Sequence, residues 1–331
     1  MALLEIDDLR VRFGSEQGDL NAVNGLSFSV AAGETLAIVG ESGSGKSVTA
    51  MSVLRLLKSP PARITGRALF RGRDLFALPE AEMRGLRGNK IGMIFQEPMS
   101  SLNPVMAVGA QIAESVRLHQ GVSRARARAR ALDLLSRVGI PAPERRMREY
   151  PHQLSGGMRQ RVMIAIALAC NPELLIADEP TTALDVTVQA QILDLMRALK
   201  AELGSAIILI SHDLGVVAEI ADRVMIMYAG RIVEQGTMRR ILTAPMHPYT
   251  KGLLGAIPHL RAGSCACEGP RRRLVEIPGV VPSLRERIAG CAFAPRCAHS
   301  TTICQTTPPP TVATGPDHQV ACHHAEIRTA A

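Results

Sequence analysis

The chain has 331 residues, of which 47% are hydrophobic and 21% charged, and its formal net charge is +8. This apolar content supplies a full hydrophobic core and excludes a disordered or fibrous protein. Aromatic residues make up only 3% of the chain, which argues against a nucleic-acid reader built on stacked aromatic side chains. The longest apolar run, Val162–Cys170, is too short to span a bilayer, and the N-terminus is acidic where a secretory signal would be basic. We therefore expect a soluble cytoplasmic protein with no transmembrane segment.

The first predicted elements are short strands separated by turns. Leu3–Phe13 and Leu26–Val30 have the composition of strands, and the apolar run Thr35–Val39 follows a Gly-Glu turn. The glycine-rich segment Gly40–Ser47 comes next, and Val48–Leu57 then carries apolar residues at helical spacing. A strand, a glycine loop and a helix in this order are the setting that a phosphate-binding loop requires.

The middle of the chain alternates helical patterns with short apolar runs. Pro98–Tyr150 is helical and arginine-rich, with breaks at Gly121 and around Pro141, and Leu154–Asn171 is a second loop and helix. Two apolar runs flanked by turns predict buried parallel strands, with a helix between them and a hairpin after them. These elements are Glu173–Ala177, Val188–Leu203, Ala206–Ile210, and Val224–Tyr228 paired with Arg231–Glu234.

The segment Gly40–Ser47 fits the pattern G-x-x-x-x-G-K-[ST] in full. Its glycines let backbone N–H groups turn inward around phosphates, and the N-terminus of the next helix adds a partial positive charge. In such a loop Lys46 reaches the β- and γ-phosphates, and the Ser47 hydroxyl binds Mg²⁺. The segment therefore predicts nucleotide binding, a property that many P-loop families share.

Two acids, Asp178 and Glu179, follow the second apolar run. A buried strand there would deliver both carboxylates to the carboxyl edge of the sheet, beside the phosphates. We expect Asp178 to hold Mg²⁺, directly or through water, and Glu179 to polarise the attacking water.

A second glycine-containing helix start lies at Leu154–Arg161. Ser155 and the two glycines after it open a helix and make a second N-terminal anion site in the same chain. One nucleotide does not need two helix-end cradles on one subunit. Two subunits facing head to tail, however, would each supply one cradle to a shared ATP.

With these motifs in this order, the sequence resembles the ATP-binding subunits of ABC transporters. In that family the motif at 154–160 is the signature that closes over ATP held by the partner subunit. The resemblance implies that Gln96 senses Mg²⁺ and water, that Asp185 of the Ala183–Asp185 loop lies at the dimer interface, and that His212 contacts the γ-phosphate. Phe13 would stack on adenine, and a place in the core is the alternative for this ring.

The resemblance also implies a full set of site residues. The implied ATP-binding residues are Phe13, Ser42, Gly43, Ser44, Gly45, Lys46, Ser47 and Val48. The implied signature residues are Leu154, Ser155, Gly156, Gly157, Met158, Arg159 and Gln160. Mg²⁺ would be bound by Ser47, Gln96 and Asp178, and catalysis would involve Glu179, His212 and Gln96. The implied fold is α/β, a P-loop nucleotide-binding domain of the ABC type with a mixed sheet core, an antiparallel β subdomain and a helical subdomain at about 97–155.

Further motifs make the sequence similar to the dipeptide, oligopeptide and nickel importers of that family. They are Phe95–Pro104, His247–Leu254 with Ala256–Pro258, Pro278–Pro282, Gly290–Cys297 and Cys322-His323. The resemblance implies an ATP-hydrolysing motor for uptake of di- and oligopeptides, peripheral on the cytoplasmic face of the inner membrane. Its implied partners are a paralogous ATP-binding subunit, two membrane permease subunits and an extracytoplasmic substrate-binding protein.

Two alternative functions follow from the same motifs. The motor could serve nickel or another small solute, because solute recognition lies in other subunits. A soluble ABC ATPase acting on nucleic acid or the ribosome is disfavoured, since residues 97–153 leave room only for a small helical subdomain and the chain holds one cassette.

The composition changes after about Gly236. Residues 236–331 hold six of the seven cysteines and few periodic runs, so we predict an ATPase domain at 1–235 and a small Cys-rich C-terminal appendage at 236–331. Cys170 stands alone in an apolar stretch, which is typical of a buried side chain. In a reducing cytoplasm the clustering of the others favours a metal site over disulfides.

Four of these cysteines are spaced as Cys291-x5-Cys297-x6-Cys304-x17-Cys322. Four thiolates can hold a tetrahedral zinc ion or a [4Fe–4S] cluster. Structural zinc usually takes a closer cysteine pair than this set offers, and members of the resembling group are described with a [4Fe–4S] cluster at these positions. There are two alternatives. The region could bind zinc with His323 and His324 as further ligands, or it could hold no metal. The cluster could stabilise the fold of this region or act as a redox sensor. Two further cysteines, Cys265 and Cys267, lie outside the four-cysteine pattern.

Overall fold

The computed structural model describes residues 2–16, 18–182, 185–257, 277–286 and 288–325. The strands of this part of the chain are β1 (Ala2–Phe13), β2 (Leu20–Ala31), β3 (Thr35–Val39), β4 (Ala62–Phe70), β5 (Arg73–Asp74), β6 (Ile91–Ile94), β7 (Leu174–Asp178), β8 (Ala206–Ser211), β9 (Arg223–Tyr228), β10 (Arg231–Thr237), β11 (Thr311–Gly315) and β12 (His318–Ala321). The α-helices are α1 (Lys46–Val53), α2 (Glu80–Leu86), α3 (Pro98–Ser101), α4 (Val108–Gln120), α5 (Arg124–Arg137), α6 (Pro143–Arg146), α7 (Gly156–Ala167), α8 (Val186–Leu203), α9 (Leu214–Ala218), α10 (Met238–Thr243), α11 (Pro248–Gly255) and α12 (Thr302–Thr306).

The larger sheet is mixed and has the strand order β11-β12-β10-β9-β3-β8-β7-β6. The strands from β9 to β6 run parallel, whereas β10, β12 and β11 pair antiparallel. In β3, Ala37 and Val39 enter one hydrophobic core, while Leu36 and Ile38 enter another. A strand covered on both faces needs apolar side chains at every position, which explains the continuous apolar runs of the sequence.

Each face of this sheet is covered by a different layer. A four-stranded antiparallel sheet in the order β2-β1-β4-β5 covers one face, and Leu4 and Val11 of β1 are among the residues it buries there. Helices cover the other face, where α4, α5 and α7 pack together and bury Ile112 and Leu134. The implied fold, with its mixed sheet, antiparallel sheet and helical part, is therefore confirmed.

The predicted elements are found, with shifted ends. Thr35–Val39 is β3, and the predicted hairpin is β9 and β10. β2 begins at Leu20, earlier than predicted, because its first half pairs with the end of β1. α1 ends at Val53, earlier than predicted, because Arg55 turns to a φ of +52°. Strands β4 to β6 and helix α2 are additional to the predicted elements.

The C-terminal region continues the larger sheet. β12 pairs with β10, with Glu234 opposite Val320, and β11 forms the edge beyond it. β10 itself runs across the predicted domain boundary between 235 and 236. A separate Cys-rich appendage is therefore not confirmed in the described residues, because strand pairing joins this region to the ATPase sheet. The boundary itself stays a prediction.

Candidate functional site

The predicted phosphate loop lies between β3 and α1. Gly45 ends the loop at a φ of +97°, and a Cβ there would lie 2.5 Å from the Ala22 carbonyl oxygen, so only glycine fits. The Lys46 Nζ donates to the carbonyl oxygens of Gly40 at 2.7 Å and Glu41 at 2.9 Å. Burial lowers the pKa of Lys46, and the nearby carboxylates of Glu179, Asp178 and Glu41 oppose that shift. The loop therefore holds its lysine against two of its own backbone carbonyl oxygens.

The predicted magnesium residues meet at the start of α1 and the end of β7. Ser47 Oγ donates to Asp178 Oδ1 at 2.9 Å. Burial raises the pKa of Asp178, while the Ser47 hydrogen bond acts in the opposite direction. A buried carboxylate beside a hydroxyl offers the hard oxygen ligands that Mg²⁺ prefers, so the residues present fit this ion.

Glu179 brings together three of the predicted residues. Its Oε2 contacts Gln96 Nε2 at 3.4 Å and His212 Nδ1 at 3.2 Å. It also accepts a 2.8 Å hydrogen bond from Thr182 Oγ1, a partner that the sequence analysis missed. Glu179 adopts a φ of +45°, which is uncommon for a residue with a side chain. Since Asp178 is the preceding residue, at the end of β7, the predicted water-activating and magnesium-binding groups occupy one sheet edge.

The predicted signature forms the start of α7. Ser155 is the N-cap and accepts from the backbone N–H of Met158 at 3.4 Å. Ser155 and Gly156 are exposed, whereas Leu154 and Gln160 are buried. Gln160 Nε2 donates to the Pro180 carbonyl at 2.5 Å, which ties α7 to the segment after Glu179. The helix start is thus open to solvent while the rest of the motif is anchored in the subunit.

The other predicted residues lie in several environments. Asp185 caps α8 by accepting from the Val188 N–H at 2.9 Å, and Ala183 and Leu184 lie outside the described residues. Phe13 is half-buried and packs against the core under the antiparallel sheet. Arg159 is half-buried, and its guanidinium donates to the Pro151 carbonyl at 2.7 Å. Of the remaining loop and signature residues, Ser42 and Gly43 are exposed and Ser44 is buried. The other three, Val48, Gly157 and Met158, are half-buried.

The described cysteines form no disulfides, and Cys170 is buried as predicted. Burial raises the pKa of Cys291, and the nearby thiols of Cys304, Cys322 and Cys297 raise it further, which places the other three predicted ligands within electrostatic reach of Cys291. Their chemistry suits zinc or an iron–sulfur cluster. As the side chains stand, however, the described residues form no group of three or more metal-binding side chains, so the metal prediction is not confirmed. Cys265, Cys267 and Pro258 lie outside the described residues.

Comparisons with known proteins agree with this geometry. Residues 23–182 match the ABC transporter family, and residues 233–304 match the oligopeptide/dipeptide transporter C-terminal region. A probable peptide ABC transporter ATP-binding protein of Sinorhizobium fredii is 54% identical over 321 residues, which are 97% of this chain and 94% of that protein. This chain belongs to the ABC transporter ATP-binding proteins. As a member of that family it is an ATPase.

Two further relatives of this ABC ATPase extend the comparison. The oligopeptide transport ATP-binding protein OppD of Salmonella typhimurium is 54% identical over 307 residues, 93% of this chain and 89% of OppD. A dimeric ATP-binding cassette solved in a post-hydrolysis state with ADP and phosphate covers 71% of this chain and 99% of its own, with a TM-score of 0.65 and 28% identity. None of the helices in the described part of the chain combines the length and apolarity needed to cross a membrane.

Proposed function

We propose that this ABC ATPase is the motor subunit of an importer of di- and oligopeptides. The observation that carries the proposal is the meeting of Gln96, Glu179 and His212 next to the Ser47–Asp178 pair, which is an arrangement suited to hydrolysing MgATP. The peptide substrate is supported by relatives named for peptide and oligopeptide transport and by the matching C-terminal region.

The motor works as a head-to-tail pair of ATP-binding subunits. Support comes from the exposed helix start at Ser155 and Gly156, a second anion cradle that the chain's own phosphate loop does not need. A solved relative is itself dimeric. The second subunit is a paralogue, and two permease subunits and an extracytoplasmic substrate-binding protein complete the importer at the cytoplasmic face of the inner membrane.

In the proposed reaction the Glu179 carboxylate orients the attacking water, and Gln96 and His212 hold that carboxylate in place. The Lys46 ammonium moves from the backbone carbonyl oxygens of Gly40 and Glu41 to the β- and γ-phosphates of ATP. The negative charge of these phosphates favours the protonated form of the lysine. Ser47, Gln96 and Asp178 would hold Mg²⁺, which when bound neutralises charge that develops on the phosphate oxygens. Phe13 supports the adenine ring.

The transport role is tested by uptake in cells that lack this gene. Wild-type protein should restore uptake of a radiolabelled tripeptide, whereas Lys46→Ala and Ser155→Arg should not. Lys58→Ala, which alters an exposed lysine beyond α1, is the matched control. Restored uptake of nickel without any effect on the peptide would favour the alternative solute, and no effect on either would contradict an importer.

We further propose that Cys291, Cys297, Cys304 and Cys322 hold a [4Fe–4S] cluster, with zinc as the alternative. The proposal is supported by the electrostatic interaction of Cys291 with the other three thiols. Anaerobically purified protein should contain about four irons and four sulfides per chain. About one zinc without iron would indicate a structural zinc site, and neither metal would contradict both assignments.

A further inference from the structure

Glu41, the second residue of the phosphate loop, is held by two residues from far along the chain. The Tyr249 hydroxyl in α11 accepts a hydrogen bond from the Glu41 backbone N–H at 2.9 Å. Arg296 Nη1 donates to both carboxylate oxygens of Glu41, at 3.1 and 2.9 Å. The loop that receives phosphate is therefore fastened, through its backbone and its side chain, to the C-terminal region.

Arg296 is held rigidly in this contact. Its side chain is only 5% exposed, and its guanidinium donates to the carbonyl oxygens of Pro278 at 2.8 Å and Ile277 at 3.1 Å. The guanidinium carbon lies 5.8 and 5.9 Å from the ring centres of Tyr228 and Phe293, within cation–π range. A guanidinium fixed by so many partners arrives at Glu41 in one orientation, which is the geometry of a pre-organised ion pair.

The charge of Glu41 matters because of where it lies. Its carboxylate is close enough to act on the Lys46 ammonium, the group expected to meet the phosphates. A carboxylate without a counter-charge in that position would repel the polyphosphate of ATP, and the repulsion would be only weakly screened because the pair is partly buried. Arg296 supplies the counter-charge from outside the loop.

We propose that Arg296 is a positioning residue for the phosphate loop, and that its ion pair with Glu41 makes the ATP affinity of this ATPase depend on the docked C-terminal region. The inference rests on the proposed role of Gly40–Ser47 in binding MgATP. Residues beyond the loop, Arg296 and Tyr249, then set how well the loop accepts phosphate.

The test measures KM and kcat for MgATP, and the Kd of a fluorescent ATP analogue, on the full-length protein. Arg296→Met should raise KM and Kd about tenfold, within the usual range of coupling between sites, and leave kcat near the wild-type value. Adding Glu41→Gln to Arg296→Met should restore most of the affinity, because the uncompensated carboxylate is then gone. A residue with only a structural role would not be rescued in this way.

Two controls separate the possible outcomes. Arg67→Met breaks an ion pair with Asp7 whose arginine is 66% exposed, and it should change neither constant. Lys46→Ala should abolish binding. Binding that survives this change would refute the assignment of the loop, on which the role of Arg296 depends, whereas a failure confined to the Arg296 variants refutes that role alone. An unchanged KM in Arg296→Met, or a double variant no better than the single one, would overturn the proposal. Should Arg296→Met not fold, Arg296→Gln, which keeps a donor without the charge, replaces it in the same comparison.

Discussion

At the residue scale, Glu179 has the most constrained conformation of the site. Its backbone takes a φ of +45°, and its carboxylate is held by Thr182, His212 and Gln96. A side-chain-bearing residue persists in such a conformation only where its surroundings determine it strongly. The strand end of β7 is thus shaped to aim one carboxylate, which is what water activation requires.

Glu179→Gln should bind MgATP normally and hydrolyse it about 100- to 10,000-fold more slowly, because an amide keeps the contacts but cannot accept a proton from water. Phosphate release and binding of a fluorescent ATP analogue would be measured side by side, with the exposed acid Glu219 changed to Gln as the control. Light scattering of the variant with MgATP should show a trapped dimer. Normal turnover would show that Glu179 is not the base.

Asp178 carries an ionisation cost that can be measured in the absence of nucleotide. Burial raises its pKa above the ordinary 3.8, so the folded chain binds this proton more tightly than the unfolded chain, and stability falls as pH rises from about 3.8 through the folded pKa. Asp178→Asn should therefore raise the Tm of metal-free protein at pH 7 and lose this advantage below pH 3.8, while Mg²⁺-dependent hydrolysis is abolished. If the variant and the wild-type protein had the same Tm at pH 7, burial of Asp178 would carry no ionisation cost. Asp194→Asn, at an exposed position, is the control.

At the scale of single elements, α11 begins with an unusual cap. His247 is fully buried, and its Nδ1 accepts the backbone N–H of Tyr249 at 3.1 Å. Burial lowers the pKa of His247 from 6.5 to about 3, so the ring stays neutral and can serve as the acceptor. The cap matters beyond the helix, because it fixes Tyr249, whose hydroxyl reaches the phosphate loop.

This cap predicts a pH dependence of folding. The unfolded chain binds a proton at His247 below pH 6.5 while the folded chain does not until about pH 3, so its contribution is fully present above pH 6.5 and is lost as pH falls, by up to about 1.4 kcal/mol per pH unit. His247→Asn keeps a good N-cap without a titrating group. Between pH 6 and pH 4 the free energy of unfolding of this variant, measured in urea, should fall less steeply than that of the wild-type protein. His299→Asn, at an exposed position, is the control.

Elements differ in how well the sequence predicts them. β3, β7 and β8 are buried at every position, and such runs are recognisable without any partner. β11 has no fully buried residue because it forms the edge of the larger sheet. β4 alternates irregularly, and it pairs with β1, which is distant in the chain. The same holds at the site: the phosphate loop and the acids after β7 are local patterns, whereas Glu41 and Arg296, 255 positions apart, share no pattern that a sequence alone reveals.

At the scale of the whole molecule, a buried hydrogen bond joins two neighbouring strands in the antiparallel part of the larger sheet. The Glu234 carboxylate in β10 is fully buried and accepts the backbone N–H groups of Met246 and His247 at 2.7 and 3.0 Å. Its remaining partner is His318 Nε2 of β12, at 2.8 Å. The C-terminal hairpin is therefore attached to the ATPase sheet by polar contacts inside the protein as well as by strand pairing.

His318→Ala should loosen this attachment by about 1–3 kcal/mol, because it leaves the buried Glu234 side chain with one hydrogen-bond partner fewer. Hydrogen exchange followed by mass spectrometry should show faster exchange in β11, β12 and β10 while β3 and β7 stay protected. The exposed neighbour Gln319, changed to Ala, is the control in the same strand. Exchange that is unchanged in β12 would show that strand pairing alone holds the hairpin.

The pairing of β10 with β12 also orders events on the ribosome. His318 follows Glu234 by 84 positions, so at ordinary rates of protein synthesis β10 waits roughly 4 to 17 s for its partner. During that interval β10 is paired only with β9, and its other edge is the kind of exposed strand edge that other chains can join. Translation-arrested chains that stop before β12 should therefore be the form of this protein most dependent on chaperones.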